Sequence, residues 1–94
     1  MEALSIIGPH PTSGFRIDLV RASDVAPWHY EGRLATPEHD LRLSVRVALS
    51  GEVALTSTLE ATLAERVRLL VRQVAKHALT EGQSPPRRIQ RWRP

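Results

Sequence analysis

Cysteine is absent from this 94-residue chain. Its absence excludes disulfides, thiolate zinc sites and cysteine nucleophiles, and it is typical of proteins kept in a reducing compartment. Aromatic residues are also few, with 2 Trp, 1 Tyr and 1 Phe, and no apolar run approaches the roughly 18 residues that a membrane span needs. We therefore expect a cytoplasmic protein without a membrane span.

Motifs of catalysis and cofactor binding are missing as well. The sequence has no Gly-rich phosphate loop and no GxSxG nucleophile elbow. The 4 histidines, which include no pair at the i, i+4 spacing of helical metal sites, are His10, His29, His39 and His77. We therefore predict a protein that is not an enzyme and that requires no cofactor or metal. An enzyme acting through the 38–40 loop together with His29 is a weaker alternative.

The residues that are present indicate one folded domain with simple termini. Hydrophobic residues make up 41% of the chain and charged residues 24%, which is a globular composition, and 94 residues suffice for a single core. Prolines and glycines near the start predict an irregular N-terminal segment, 1–14. The domain itself is predicted over 15–82, and a Pro-rich linker and basic tail over 83–94, with both termini flexible.

Three stretches alternate between apolar and polar residues, as half-buried strands do. The inward positions are Phe15, Ile17 and Leu19; Trp28, Tyr30 and Leu34; and Leu41, Leu43, Val45, Val47 and Leu49. Gly32 falls in line with the second inward set, where it indicates a bulge or a close backbone approach. A turn at Ser50 and Gly51 leads to a short fourth run through Val53 and Leu55. We predict a three- or four-stranded antiparallel β-meander.

One long helix follows the strands. Ser57 to Glu60 fit a capping box, which predicts a helix that begins near Thr58, and Gly82 suits a left-handed C-cap. The apolar residues of the helix form a stripe about 120° wide, the pattern of a helix that packs on one face of a sheet. The predicted fold class is therefore α+β.

The last eight residues hold most of the net positive charge. Segment 87–94 has four arginines, one tryptophan and no acid, whereas residues 1–86 have 9 basic side chains against 10 acidic ones. Arginine contacts phosphates and tryptophan stacks on bases. We therefore predict that this tail binds nucleic acid, either RNA or DNA. The predicted contact residues are Arg87, Arg88, Arg91, Trp92 and Arg93.

Two further surfaces carry positive charge. On the predicted helix, Arg68, Arg72 and Lys76 are spaced by four residues and form either a ridge that supports the tail or a plain solvated face. The helix-free face of the sheet is predicted to display four arginines together with Asp18, Glu31, His29 and Ser44; these arginines are Arg16, Arg33, Arg42 and Arg46. Because no aromatic residue is predicted on that face, it ranks below the tail as a nucleic-acid site.

Three alternatives to nucleic-acid binding stay open. In the first, the tail is an inert solubilising end, or it folds back so that Trp92 packs on the sheet or the helix. In the second, the tail binds an acidic protein or a membrane surface. In the third, the chain is a protein-interaction or self-assembly module, such as a homodimer, that uses the sheet edge or an exposed helix face with Leu69 and Leu79.

Overall fold

Five strands and one helix form the part of the chain that the computed structural model describes, residues 13–56 and 59–94. The elements are β1 (Phe15–Arg21), β2 (Trp28–Ala35), β3 (Asp40–Val47), β4 (Val53–Leu55), α1 (Ala61–Thr80) and β5 (Arg88–Arg93). The strands make one antiparallel sheet in the order β4-β3-β2-β1-β5. The predicted α+β fold, a meander followed by one long helix, is confirmed, and the sheet has one strand more than the sequence predicts.

The core lies between α1 and one face of the sheet. The fully buried sheet residues include Phe15, Ile17, Leu19, Tyr30, Leu34, Leu43 and Val47, which are inward positions of the predicted alternation. Each such side chain contributes about 1.5–3 kcal/mol by leaving water. The close backbone approach predicted at Gly32 is confirmed, because a Cβ there would overlap the carbonyl oxygen of Asp18 on β1.

The turn between β3 and β4 differs from the prediction at one residue. Gly51 donates its N–H to the Ala48 carbonyl at 2.8 Å and has a φ of 93°, a left-handed conformation that favours glycine. Leu49 therefore lies in the turn and is 70% exposed, instead of continuing the inward face of β3. The predicted reversal at Ser50 and Gly51 into a short fourth strand is confirmed.

Helix α1 begins at Ala61, three residues after the predicted start. Its N-cap is Glu60, whose carboxylate accepts hydrogen bonds from the Thr62 and Leu63 amides, both at 3.1 Å. Those amides have no partner inside the helix, so the carboxylate satisfies them. Glu60 thus takes the place predicted for a serine cap; residues 57 and 58 lie outside the described part of the chain, as do residues 1–12 of the predicted irregular segment.

The C-terminal end of α1 matches the prediction. Glu81 is the C-cap, and Gly82 after it has a φ of 73° and donates its N–H to the Leu79 carbonyl at 3.0 Å, the left-handed ending that glycine favours. The helix buries Val67, Leu70, Val71, Ala75 and Ala78 against the sheet. Within the described ranges, no helix combines the length and the apolar character that crossing a bilayer requires.

Residues 88–93 form a strand of the sheet where the sequence predicts a linker and a tail. β5 pairs with β1 from Val20, opposite Arg88, to Phe15, opposite Arg93. Ile89 is fully buried in the core. Burial of this side chain contributes about 1.5–3 kcal/mol that a free tail would not gain. The segment is therefore part of the folded domain, and its assignment to a separate tail is corrected.

The Pro85–Pro86 segment is held against the sheet and does not space a tail away from it. Pro85 is buried, and its carbonyl accepts a hydrogen bond from the Arg21 guanidinium. The Pro86 carbonyl accepts one from the Tyr30 hydroxyl. Burial raises the pKa of Tyr30, with Arg21 acting in the opposite direction, so the hydroxyl keeps the proton that it donates. These bonds direct the chain from α1 back to the edge of β1.

The Glu60 cap predicts a pH-dependent contribution to stability. Hydrogen bonds from the Thr62 and Leu63 amides lower the pKa of Glu60 from its usual 4.5. Because the folded-state pKa is the lower one, the stabilisation is present above the unfolded pKa and is lost as the pH falls through the folded pKa. We expect Glu60→Gln to lower the free energy of unfolding at neutral pH and to cost progressively less toward about pH 3, measured by urea denaturation.

Glu38→Gln is the matched control for this measurement. Glu38 is exposed in the loop before β3 and takes no part in the helix cap. Its replacement should leave the urea midpoint nearly unchanged across the same pH range. A cost of Glu60→Gln that is equal at neutral and acidic pH would contradict the role of the charged carboxylate.

Candidate nucleic-acid interface

β5 distributes the predicted tail residues over both faces of the sheet. Side chains alternate along a strand, and Ile89 points to the core on the helix side. Arg91 and Arg93 share that side. Arg88 and Trp92 lie on the opposite, helix-free face, which we call the open face. The tail residues therefore do not act as one basic cluster.

The open face displays a half-exposed tryptophan. Trp92 is 48% exposed and lies opposite Arg16 of β1 in the strand register. These two residues line a shallow depression of about 270 Å³ together with Gln90 and with Arg91, whose Nη1 reaches the Gln90 carbonyl at the edge of the sheet. The expectation of an open face without an aromatic residue is wrong, because β5 brings Trp92 onto it.

Arg88 forms a two-point ion pair with Asp18 in the middle of β1. Its Nε lies 3.1 Å from Oδ1 of Asp18, and its Nη2 lies 2.9 Å from Oδ2. Asp18 is only 7% exposed, so its charge is poorly solvated and depends on this partner. The hydrogen bonds to Asp18, and then its negative charge, raise the pKa of Arg88. Arg88 therefore links β5 to β1 through the Asp18 carboxylate.

Two other arginines of the open face are not paired with a carboxylate within the described ranges. Arg42 and Arg46 occupy outward positions of β3 and are exposed, and neither forms an ion pair with any residue in the described ranges. Arg33 differs, because its Nε lies 3.6 Å from Oδ1 of Asp40. The open face thus combines one aromatic ring with exposed positive charge on β3.

The remaining tail arginines lie along the outer margin of the sheet. Arg87 precedes β5, and its side chain is 73% exposed and lies 3.8 Å from Asp24. Arg91 and Arg93 each donate from Nη1 to the carbonyl oxygen of the residue before them, at 2.8 and 2.9 Å. Neither forms an ion pair with a carboxylate in the part of the chain that the structure describes.

The basic ridge of the helix does not join this surface. Its contacts are Arg68 with Glu65 at 2.7 Å, Arg72 with Glu52 at 3.6 Å, and Lys76 over Gly51 of the β3–β4 turn. The last two contacts place the ridge beside β4, at the edge of the sheet opposite to β5. Four strand spacings separate the two edges, or about 19 Å. The structure therefore does not bring the ridge and the tail arginines together.

The two leucines predicted for a helix interface do not form one surface. Leu69 is 45% exposed, as the prediction requires. Leu79 instead is partly buried and packs against the hydrophobic core. Leu69 is therefore exposed and Leu79 is not, so the two leucines do not form one exposed patch.

The residues of the weaker enzyme hypothesis are also far apart. Residues 38–40 span the end of the β2–β3 connection and the start of β3, whereas His29 lies at the other end of β2. Six residues of extended chain separate these ends, or about 20 Å. Among the described residues, no three His, Asp or Glu side chains lie close enough to hold a metal ion.

Comparison of the chain with protein-family models, curated proteins and solved structures gave no match. The open face presents the half-exposed ring of Trp92 and the exposed side chains of Arg42 and Arg46. Sequence reasoning placed Trp92 on a free tail, whereas it lies on a paired strand, and it ranked the face that carries the two β3 arginines below the tail.

The ion pair between Arg88 and Asp18 predicts that Arg88 stabilises the fold. We expect Arg88→Gln to lower the urea midpoint, because it leaves the poorly solvated Asp18 carboxylate without its cation. Arg87→Gln removes the same charge one residue earlier, where the side chain is 73% exposed. That control should change stability by no more than about 0.5 kcal/mol. Equal effects of the two substitutions would contradict the anchoring role of Arg88.

Proposed function

We propose that this protein binds single-stranded nucleic acid on the open face of its sheet and does not catalyse a reaction. The observation that carries the proposal is the ring of Trp92, which is 48% exposed on the outer side of a paired strand. A ring held in this way offers a flat apolar surface to a nucleobase at a small cost in side-chain entropy. Arginines on the same face supply positive charge for the phosphates.

Stacking on Trp92 provides the first part of the affinity. A base stacked on an aromatic side chain contributes about 1–3 kcal/mol, with little dependence on sequence. The bases of a duplex are already stacked on each other and show only their edges in the grooves, so none of them offers a face to the Trp92 ring. An unpaired strand is therefore the ligand that this surface favours.

Charge on β3 provides the second part of the affinity. Arg42 and Arg46 are exposed and have no carboxylate partner in the described ranges. Each phosphate contact on a single strand changes the slope of log K against log salt by about −0.7, so these two arginines predict a slope of about −1.4. A free tail with four phosphate contacts would give about −2.8 instead.

The spacing of these groups indicates an extended ligand. Trp92 lies on β5 and Arg42 on β3, which are three strand spacings apart in the sheet order. That separation is about 14 Å. A base on the Trp92 ring and a phosphate at Arg42 then belong to different nucleotides, so the strand must cross β1 and β2 between them.

Replacement of Trp92 tests the stacking. We expect Trp92→Ala to weaken binding of fluorescein-labelled oligothymidine or oligouridine about 5- to 150-fold in fluorescence anisotropy, as the loss of one stacked base requires. Trp92→Phe keeps a stacking surface and should retain most of the affinity. Trp28 is 4% exposed, so quenching of tryptophan fluorescence by the unlabelled strand should depend on Trp92. Affinity and quenching that survive Trp92→Ala would overturn the proposal.

The same titration at several salt concentrations tests the charge. Replacing both Arg42 and Arg46 with glutamine should bring the salt slope close to zero. Lys76→Gln is the control for removal of positive charge, because Lys76 lies beside β4 on the helix side of the sheet. An effect of Lys76→Gln as large as that of the β3 variants would show that the strand binds elsewhere.

A further inference from the structure

β5 leaves one row of backbone groups without a strand beside it. Hydrogen bonds of an antiparallel pair alternate, and the Arg21 amide donates to the Arg87 carbonyl at 2.7 Å. Because every second residue repeats this pattern, the odd-numbered residues of β5 are the ones whose N–H and C=O groups bond to β1. The N–H and C=O groups of the even-numbered residues, including Gln90 and Trp92, therefore point to the free edge of the sheet.

Two arginine side chains cap the outward carbonyls of this edge. Nη1 of Arg91 donates to the Gln90 carbonyl oxygen at 2.8 Å, and Nη1 of Arg93 donates to that of Trp92 at 2.9 Å. An exposed row of backbone groups pairs with other extended chains, and charged side chains at an edge oppose such pairing. The guanidinium groups therefore oppose pairing with any strand that lacks an acceptor stronger than these backbone carbonyls.

The positive charge of the β5 edge determines which kind of strand can pair with it. Arg91 and Arg93 have no carboxylate partner within the described residues. A second copy of β5 would bring the same arginines together, and like charges across a ladder repel. A strand with acidic side chains opposite these two arginines gives each guanidinium a carboxylate. The capped carbonyls are then released to accept N–H groups of the incoming strand.

A groove on the helix side of β5 can receive an apolar side chain of that strand. It has a volume of about 520 Å³ and lies between α1 and β5, with Arg91 and Arg93 in its lining. Leu70, Val74 and Ala78 of α1 give it an apolar wall. A strand added to β5 turns alternate side chains toward this groove. An apolar residue two positions beyond the acidic pair would lie opposite Ile89.

We propose that the β5 edge binds an extended acidic segment of a partner protein by antiparallel strand addition. Two acidic residues at alternate positions of the segment form ion pairs with the guanidinium groups of Arg91 and Arg93. The next residue on the same side is apolar and packs in the groove. Main-chain hydrogen bonds supply affinity, and the exchange of carbonyl for carboxylate at the guanidinium groups supplies selectivity. This site uses the edge and the helix side of β5, so it does not depend on nucleic-acid binding by the Trp92 ring.

A capped seven-residue peptide tests the selectivity. Its sequence is Thr-Glu-Thr-Glu-Thr-Leu-Thr. Fluorescein attached at one end reports binding by anisotropy. We expect replacement of both glutamates by glutamine to weaken binding about 2- to 30-fold, because two exposed ion pairs are lost. Equal binding of the two peptides, or no binding of either, would overturn the proposal.

N-methylation of the same peptide tests strand addition itself. The threonines lie opposite the outward residues of β5, so their amides are the donors to the sheet edge. Methylation of the threonine amides should abolish binding, whereas methylation of the glutamate and leucine amides, which point away, should be tolerated. Tolerance of both modifications would show that the peptide does not add as a strand.

Protein variants locate the site. Replacing both Arg91 and Arg93 with glutamine should remove the preference for glutamate over glutamine peptide. Replacing both Arg87 and Lys76 with glutamine makes the same change in net charge outside β5 and should preserve that preference. The Trp92→Ala variant keeps its backbone and should still bind the peptide. Loss of peptide binding in Trp92→Ala, together with displacement by oligothymidine, would place the peptide on the open face and overturn the proposal.

Discussion

The pairing of β5 with β1 determines where each side chain of the C-terminal segment lies. Three interactions hold it: Ile89 is buried in the core, Arg88 neutralises the poorly solvated Asp18, and the Pro86 carbonyl accepts a hydrogen bond from Tyr30. Burial of the isoleucine supplies the apolar contribution, and the ion pair fixes the register by matching one charge to one partner. Without this pairing, Trp92 would have no defined orientation.

The same strand also explains why the cations of this chain have different roles. Alternation places Arg88 and Trp92 on the open face, and Arg91 and Arg93 beside the helix. Arg88 forms an ion pair with Asp18, and Arg91 and Arg93 donate to backbone carbonyls at the sheet edge. The open-face arginines that are exposed and form no ion pair among the described residues therefore include those of β3, and the net charge of segment 87–94 does not reveal which of its side chains are paired.

The sequence predicts the meander and the helix well because their signals are local. Period-two alternation marks the first three strands, and Gly51 and Gly82 mark positions that need a positive φ. β5 lacks such a signal, since an edge strand exposes most of its side chains and Ile89 alone is aliphatic there. Its ion-pair partner Asp18 lies 70 residues earlier. Which partner each arginine of β5 contacts depends on the strand register, and composition and spacing do not reveal that register.

Amide hydrogen exchange of β5, followed residue by residue by NMR, distinguishes a paired strand from a free tail. The β5–β1 pairing predicts alternating protection: the amides of Ile89 and Arg91, which bond to β1, exchange slowly, and those of Gln90 and Trp92, which point to the free edge, exchange fast. Uniformly fast exchange over residues 87–93 would contradict this pairing, because it would mean that the segment is a flexible tail and that Trp92 is not held on the sheet.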